Sequence, residues 1–412
     1  MKLVTYVVRR IALFVPTIVG VMTITFVLLA ALPIQYQLIE HYGDPPRQDP
    51  CGYEPQCACA SLHHDKETGN CNNPLYTRLV DRLHLNRPEV VQWGYYMYNS
   101  FTFNWGTVAN NSQVASTYAF ARGEPVAKFM GQMMPYTLEL TVLSLLIILL
   151  IAIPLGNLSA VNRNRPIDQA SRVVSFSGFA IPPFLLGSLV VFGVFYLLLP
   201  HTGYSVGTPW CPSHETLQYE IWGSWPQAGC YKGAVALSSN CPTWLTGCYL
   251  SHPTGFPTID AAAHGLWWVS LDTLLRMILP ALVIAYGSIA GLLRFVRNSM
   301  LEVMNLDYIR TARAKGVPER DVVNRHAGRN SLNVTVTVLG LTFAFFLGGF
   351  PVIEEVFRLE GIGRALALAV IPGSFDFGVI FGSTILFTYL VVTANIIVDV
   401  LYAYLDPRVR LG

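Results

Sequence analysis

Apolar residues gather in six runs long enough to cross a bilayer as helices, separated by polar stretches of very unequal length. The runs are Ile11 to Leu32, Tyr136 to Leu158, Val173 to Leu199, Leu274 to Phe295, Val334 to Val356 and Val379 to Leu401. As a helix the first would span about 33 Å. It follows Lys2, Arg9 and Arg10, is too long for a cleaved signal and has no A-x-A site after it, which predicts an uncleaved anchor. Residues 33–135 are polar, with a helical pattern at Leu75, Leu79, Val80 and Leu83 that Asn86, Arg87 and Pro88 stop. Val90 to Tyr98 is amphipathic and aromatic (Trp93, Tyr95, Tyr96, Tyr98), which suits either a membrane interface or the core of a small soluble subdomain. The pattern as a whole predicts an all-α integral membrane protein.

Several runs read as broken: by Pro182 and Pro183 in the third, by Pro280 in the fourth, and by Gly348, Gly349 and Pro351 in the fifth. Breakers at membrane depth are tolerated where the freed carbonyls meet neighbouring helices, side chains or a water-filled cavity. These residues are therefore candidates to line a path, with plain packing kinks as the alternative.

Between the fourth and fifth runs, Asp307 to Leu332 holds the densest charge in the chain. From Ser299 onward, Val303, Met304, Tyr308, Ile309, Ala312 and Ala314 recur at three- and four-residue spacing, predicting a helix with one buried stripe and one basic face. Gly316 is expected to end that helix in the left-handed conformation. Pro318 with Glu319 and Asp321 reads as the start of a second helix. A polar hairpin between two spans cannot lie in lipid, so its stripe must rest on the membrane surface, on neighbouring spans or on a soluble partner.

Composition narrows the class. With 52% hydrophobic and 13% charged residues and a mean hydropathy of +0.43, the chain is too apolar for a soluble globular protein. A net charge of +2 marks no nucleic-acid partner. The short loop with Arg163, Arg165 and Arg172, the hairpin with Arg294, Arg297, Arg310, Arg313, Lys315, Arg320, Arg325 and Arg329, and the terminal Arg408 and Arg410 share one side, whereas Lys232 is nearly alone between His201 and Thr273. The positive-inside rule then predicts cytoplasmic termini and hairpin. Cys51, Cys57, Cys59 and Cys71 fall in one outer region and Cys211, Cys230, Cys241 and Cys248 in the other, as disulfide-stapled segments would. A metal site at Cys57, Cys59, His63, His64 and Cys71 is the weaker alternative, because the spacing matches no standard zinc knuckle. Asn110, in Asn-Asn-Ser, is an acceptable glycosylation site if outside. No phosphate loop, His-Glu-x-x-His or nucleophile elbow is present, nor any acid or histidine relay at membrane depth, so neither an enzyme nor an ion-coupled carrier is expected.

The TARAKG run of the hairpin resembles the cytoplasmic signature loop of ABC-importer permeases of the dipeptide/oligopeptide type. It stands where other permeases have Glu-Ala-Ala followed by a glycine. RRIALFVPTIVGVMTITFVLLAALP, PYTLELTVLS, IPLGNLSA, FAIPPFLLGSL, ILPALVIAYG, VTVLGLTFAFFLGG and ANIIVDVLYAYLDPRVRLG extend the resemblance to the B-type permease subunit through nearly all the apolar chain. Two features depart from it. Val334 stands where the family commonly has proline, so the second hairpin helix is expected to run on into the fifth span, and Gly43-Asp44-Pro45 comes later than usual.

The resemblance implies six transmembrane helices of the type I importer permease, to which this sequence adds two enlarged cysteine-containing extracytoplasmic loops beyond the family's common pattern. The implied organisation is 1–32 cytoplasmic N-terminus and first span, 33–135 extracytoplasmic, 136–199 second and third spans, 200–273 extracytoplasmic insert, and 274–412 the last three spans with a coupling loop at 299–333. It implies a cell-membrane protein that forms half of a path for oligopeptides or oligosaccharides. The implied partners are a second permease, two ATPases that carry the ATP and Mg, and an external solute-binding protein; the chain itself needs no cofactor. Asp307, Tyr308, Thr311, Ala312, Ala314, Gly316 and Val317 are the residues implied to dock on the ATPase, with Ala312 and Ala314 small enough to sit closely in its groove. A receptor or sensor with a cysteine-rich ectodomain is the competing class.

Overall fold

The computed structural model describes residues 3–31, 80–81, 84–110, 112–193, 245–246, 249–250, 256–263, 267–347, 349–372 and 375–405. All eight cysteines, His63, His64, Gly348 and much of the two polar regions lie outside these, so the disulfide and metal expectations do too; Asn110 is described and exposed. The described chain is helical: α1 Leu3–Ala30, α2 Glu89–Phe101, α3 Gln113–Thr117, α4 Val126–Val161, α5 Pro166–Ala180, α6 Pro183–Val191, α7 Pro257–Ala263, α8 Trp267–Val303, α9 Asp307–Ala314, α10 Glu319–Asp321, α11 Gly328–Phe346, α12 Pro351–Val356, α13 Ile362–Ala369 and α14 Phe377–Leu405. One two-residue ladder pairs Leu245–Thr246 with Tyr249–Leu250. Among the described residues three helices are long and apolar enough to cross a membrane, and a fourth span forms if α5 and α6 count as one.

The chain divides into two compact units. In the unit of residues 2–133 and 365–393, α1 and α2 are joined by the Trp93 indole, which donates to Thr23 Oγ1 at 3.0 Å. Buried Asp376 opens α14 by accepting from the Val379 amide (3.1 Å), and it also accepts from the Ala109 amide (2.9 Å). The aromatic stretch at Val90–Tyr98 lies within α2, which buries Met97 and Ser100 and leaves Val90, Tyr98 and Phe101 exposed.

The other unit, residues 134–364 with the end of the chain, is built around α8. Leu140, Ile148 and Ala152 of α4 pack with Met277, Ile284, Leu292, Leu293 and Val296 of α8, and with Phe346, Ile353 and Phe357 beyond it. Glycine allows the close approach. A Cβ on Gly156 would stand 2.7 Å from that of Val296, and one on Gly178 would stand 2.5 Å from that of Ala290.

The breakers act unequally. Ile181 and Pro182 each precede a proline, which drives them out of the helical region, and both are extended (ψ 116° and 135°). The chain consequently turns by 99° between α5 and α6. Pro280 does not interrupt the fourth run, contrary to expectation. It is buried inside α8, which continues through it and extends past both predicted ends. The fifth run is not one helix to Val356: α11 stops at Phe346, Gly349 takes φ +76°, and Pro351 starts the separate α12.

Candidate functional site

The hairpin begins where α8 ends. The predicted helix from Ser299 to Gly316 is two helices, broken by a turn at Met304–Leu306 in which the Asn305 and Leu306 amides reach back to the Glu302 and Val303 carbonyls (both 3.1 Å). Restarting at Asp307 rotates the face. Ile309 and Ala312 point inward, whereas Tyr308 and Ala314, expected in the buried stripe, are exposed. An eight-residue helix is too short to persist alone. Packing holds it instead, with Ile309 and Ala312 clustered with Met300 and Val303 of α8, Ala160 of α4, and Val322 and Ala327. Fully burying Ile309 is worth about 1.5–3 kcal/mol.

The turn after α9 follows from its glycine. Gly316 has φ +75°, its amide donates to the Arg313 carbonyl (2.9 Å), and the Val317 amide donates to the Ala312 carbonyl (3.3 Å). That double closure is the Schellman arrangement, and Val317 adds the accompanying apolar contact by packing on the cluster that contains Ala312. Arg313 clamps the two arms by donating to both oxygens of Glu319 (2.6 and 3.1 Å) and holds that carboxyl below the usual carboxylate range. Both side chains are exposed, so the pair adds little stability. Beyond Pro318, α10 runs through a π-helical turn at Val322–Ala327 into α11 without interruption. The departure from proline at Val334 is thus matched by a continuous helix.

The named residues occupy distinct places. Asp307 opens α9, with Arg310 at 3.4 Å and the Thr311 hydroxyl donating to its carbonyl (3.0 Å). The Tyr308 hydroxyl accepts from Asn330 Nδ2 (3.0 Å) and donates to the His326 carbonyl (3.5 Å), bridging the arms. Asp307, Tyr308, Thr311, Ala314 and Gly316 are exposed, Val317 is half-buried, and Ala312 faces the hairpin's own core. Ala314 and Gly316 thus lie on the hairpin's outer surface and Ala312 does not. Of the candidate path-lining residues, Pro182 and Pro183 are exposed at the bend, Gly349 and Pro351 are half-buried at the α11–α12 break, and Pro280 is buried.

A clasp at the base of the hairpin escaped the sequence reading. Asp168, fully buried in the first turn of α5, accepts from Arg297 of α8 through both oxygens (2.6 and 3.1 Å), from Arg172 (2.8 Å), from the Ser159 hydroxyl (2.7 Å) and from the Asn164 amide (2.9 Å). Two cations and two further donors offset the burial of one carboxylate. Its four-residue spacing to Arg172 was visible, but its partner 129 residues away was not. Buried Glu354 of α12 ties the chain after the α11 break, accepting from Thr137 of α4 (3.2 Å) and from the Arg364 amide (3.0 Å).

Residues 152–411 match the family described as binding-protein-dependent transport system inner membrane component. The chain is 28% identical over 405 residues, covering 98% of it and 99% of the relative, to the oligopeptide transport system permease protein AppB of Bacillus subtilis. It is 28% identical over 406 residues, 98% of each chain, to the dipeptide transport system permease protein DppB of Escherichia coli. It is also 31% identical over 341 residues, 83% of it and 86% of the relative, to the probable D,D-dipeptide transport system permease protein DdpB of Escherichia coli.

Proposed function

Because the chain belongs to the family of binding-protein-dependent transport system inner membrane components, as a permease subunit of a peptide ABC importer, we propose that its exposed hairpin is the element through which ATP-hydrolysing partners move the membrane path. The observation that carries this is the hairpin itself. It presents Asp307, Thr311, Ala314 and Gly316 outward while its inner face is packed onto the end of α8, so a force on it is delivered to a span.

The working unit on this reading has six spans in this chain, a second permease, two ATPases that bind ATP and Mg, and an external binding protein. Termini and hairpin are cytoplasmic, and 33–135 and 200–273 lie outside, stapled by their cysteines. Oligopeptides are the cargo, in keeping with the names of the relatives, and oligosaccharides are the second class to test. No observation favours the receptor alternative.

The test is co-purification followed by reconstitution. The chain should assemble with a second permease and two nucleotide-binding subunits, and the complex should take up peptide into vesicles only with ATP and binding protein. Alone it should hydrolyse no ATP. Hydrolysis by the isolated chain, or full coupling after the hairpin residues are exchanged for an unrelated loop, would overturn the reading.

A further inference from the structure

A cleft of about 520 Å³ opens between α5 and α8, close to the base of the hairpin. Four arginines line it, Arg163, Arg172, Arg294 and Arg297, together with Asn164, and no acid is among its lining residues. Behind it, Asp168 already engages two of them, Arg172 and Arg297. One carboxylate against two guanidiniums leaves a positive charge over. Arg163 and Arg294 add to it, since neither makes an ion pair among the described residues. Like charges gathered around one cleft repel, and the fold itself has no use for Arg163 or Arg294 as ion-pair partners.

The apolar surroundings indicate what supplies the missing anion. The Arg294 guanidinium lies over the Phe176 ring at 5.7 Å. Val173, Phe176 and Phe179, each more than 60% exposed, follow at three-residue intervals along α5 away from its polar first turn. A cationic cleft that gives onto an apolar strip, at the end of a span, matches a molecule with an anionic head and hydrocarbon tails. Planar guanidiniums take phosphate oxygens in pairs, and the volume lies within the range of small-molecule sites.

We propose that this cleft binds the phosphate headgroup of an anionic phospholipid, with Arg163 and Arg294 as its free ligands and the acyl chains laid along Val173, Phe176 and Phe179. The proposal rests only on the chain being a membrane permease, not on the hairpin's role in coupling. Its failure and the failure of the coupling reading are therefore distinguishable.

The test uses the assembled importer in nanodiscs of phosphatidylcholine with or without phosphatidylglycerol, with the lipid retained after extraction measured by native mass spectrometry. Phosphatidylglycerol should be retained selectively. Affinity should fall about fivefold for each cation removed in Arg163→Gln and Arg294→Gln. The Arg163→Lys/Arg294→Lys pair should keep most of the retention, which damage to the fold would not allow, and the hairpin variant Arg320→Gln should change nothing. Equal retention of both lipids, or no effect of the glutamine variants, would refute the proposal. Protection of the complex from unfolding by inorganic phosphate as strong as that by phosphatidylglycerol would overturn the lipid in favour of a soluble anion. High-yield cross-linking of Arg294→Cys to the second permease would show that a protein fills the cleft instead.

Discussion

Gly316 is the position in the hairpin where backbone conformation rather than contact decides what a side chain does. Its φ is +75°, and nothing lies within 4 Å of where a Cβ would stand, so a substitution costs conformational energy without a clash inside the chain. Alanine held there costs about 1 kcal/mol; valine costs more because it branches at Cβ, and asparagine less because it tolerates the left-handed region. The chain can relieve the strain by letting φ swing. It then gives up the Val317–Ala312 and Gly316–Arg313 hydrogen bonds, at about 0.5–1.5 kcal/mol net each. The two costs are of similar size, so the alanine variant should divide between a closed and an opened turn, with the closed-to-open ratio lowered about fivefold.

Peptide-stimulated ATPase activity and uptake by the reconstituted complex read this out, with assembly checked by gel filtration. The defect should rise in the order Gly316→Asn, Gly316→Ala, Gly316→Val. A defect governed by bulk at the partner's surface would instead rank asparagine beside valine and above alanine. If Gly316→Asn proved worse than Gly316→Ala, the left-handed turn would not be what the residue supplies, and if Gly316→Val transported normally, the hairpin would not be the coupling element.

Three further outcomes follow from the packing and the charges. Asp168→Asn leaves Arg297 almost buried beside a neutral side chain and should destabilise the protein by about 3–5 kcal/mol, read as a lower midpoint of thermal unfolding in detergent; an unchanged midpoint would dissolve the clasp. Gly178→Val places a Cβ 2.5 Å from that of Ala290 and 3.2 Å from the Tyr286 carbonyl, so overpacking should cost about 1–3 kcal/mol and lower the yield of folded protein. Glu319→Gln should change uptake little, since an exposed pair is worth about 0–1 kcal/mol. Because Arg313 lowers the folded-state pKa of Glu319, the pair's contribution is complete above the unfolded carboxyl pKa and is lost only as pH falls through the folded value, so uptake near neutral pH should show no titration of this group.

How much of this was legible depended on whether the cause was local. Gly316 could be read because a glycine after a helical pattern has one common use, and Pro182-Pro183 because two successive prolines force two successive residues out of the helix. The fifth run was overextended because Phe350, Val352 and Ile353 keep the stretch apolar while the backbone has already turned at Gly349. Hydropathy records lipid compatibility and says nothing of where φ changes sign. The same blindness joined Ser299 to Gly316 across the turn at Met304–Leu306, and that error turned Tyr308 and Ala314 to the wrong face. The long-range halves of the Asp168 and Glu354 contacts were beyond local reading, since Arg297 and Thr137 lie 129 and 217 residues away in sequence.

The clasp changes what the hairpin can act upon. Through Ile309, Ala312, Val322 and Ala327 the hairpin is fixed to Met300 and Val303 near the end of α8. About one to two turns earlier on the same helix, Arg297 grips the first turn of α5 through Asp168. Gly178, further along α5, then packs on Ala290 of α8 with no room for a side chain between them. On the coupling reading, a push at Ala314 and Gly316 thus moves α5 and α8 as one body, up to the place where the chain turns by 99° at Ile181 and Pro182. The helix beyond that bend, α6, is where this displacement passes from two clamped helices to a segment that does not continue their axis. The two prolines redirect the chain while α6 still packs on α8, where Gly187 faces Val283, so on the coupling reading α6 receives the displacement from α8 as well as from α5.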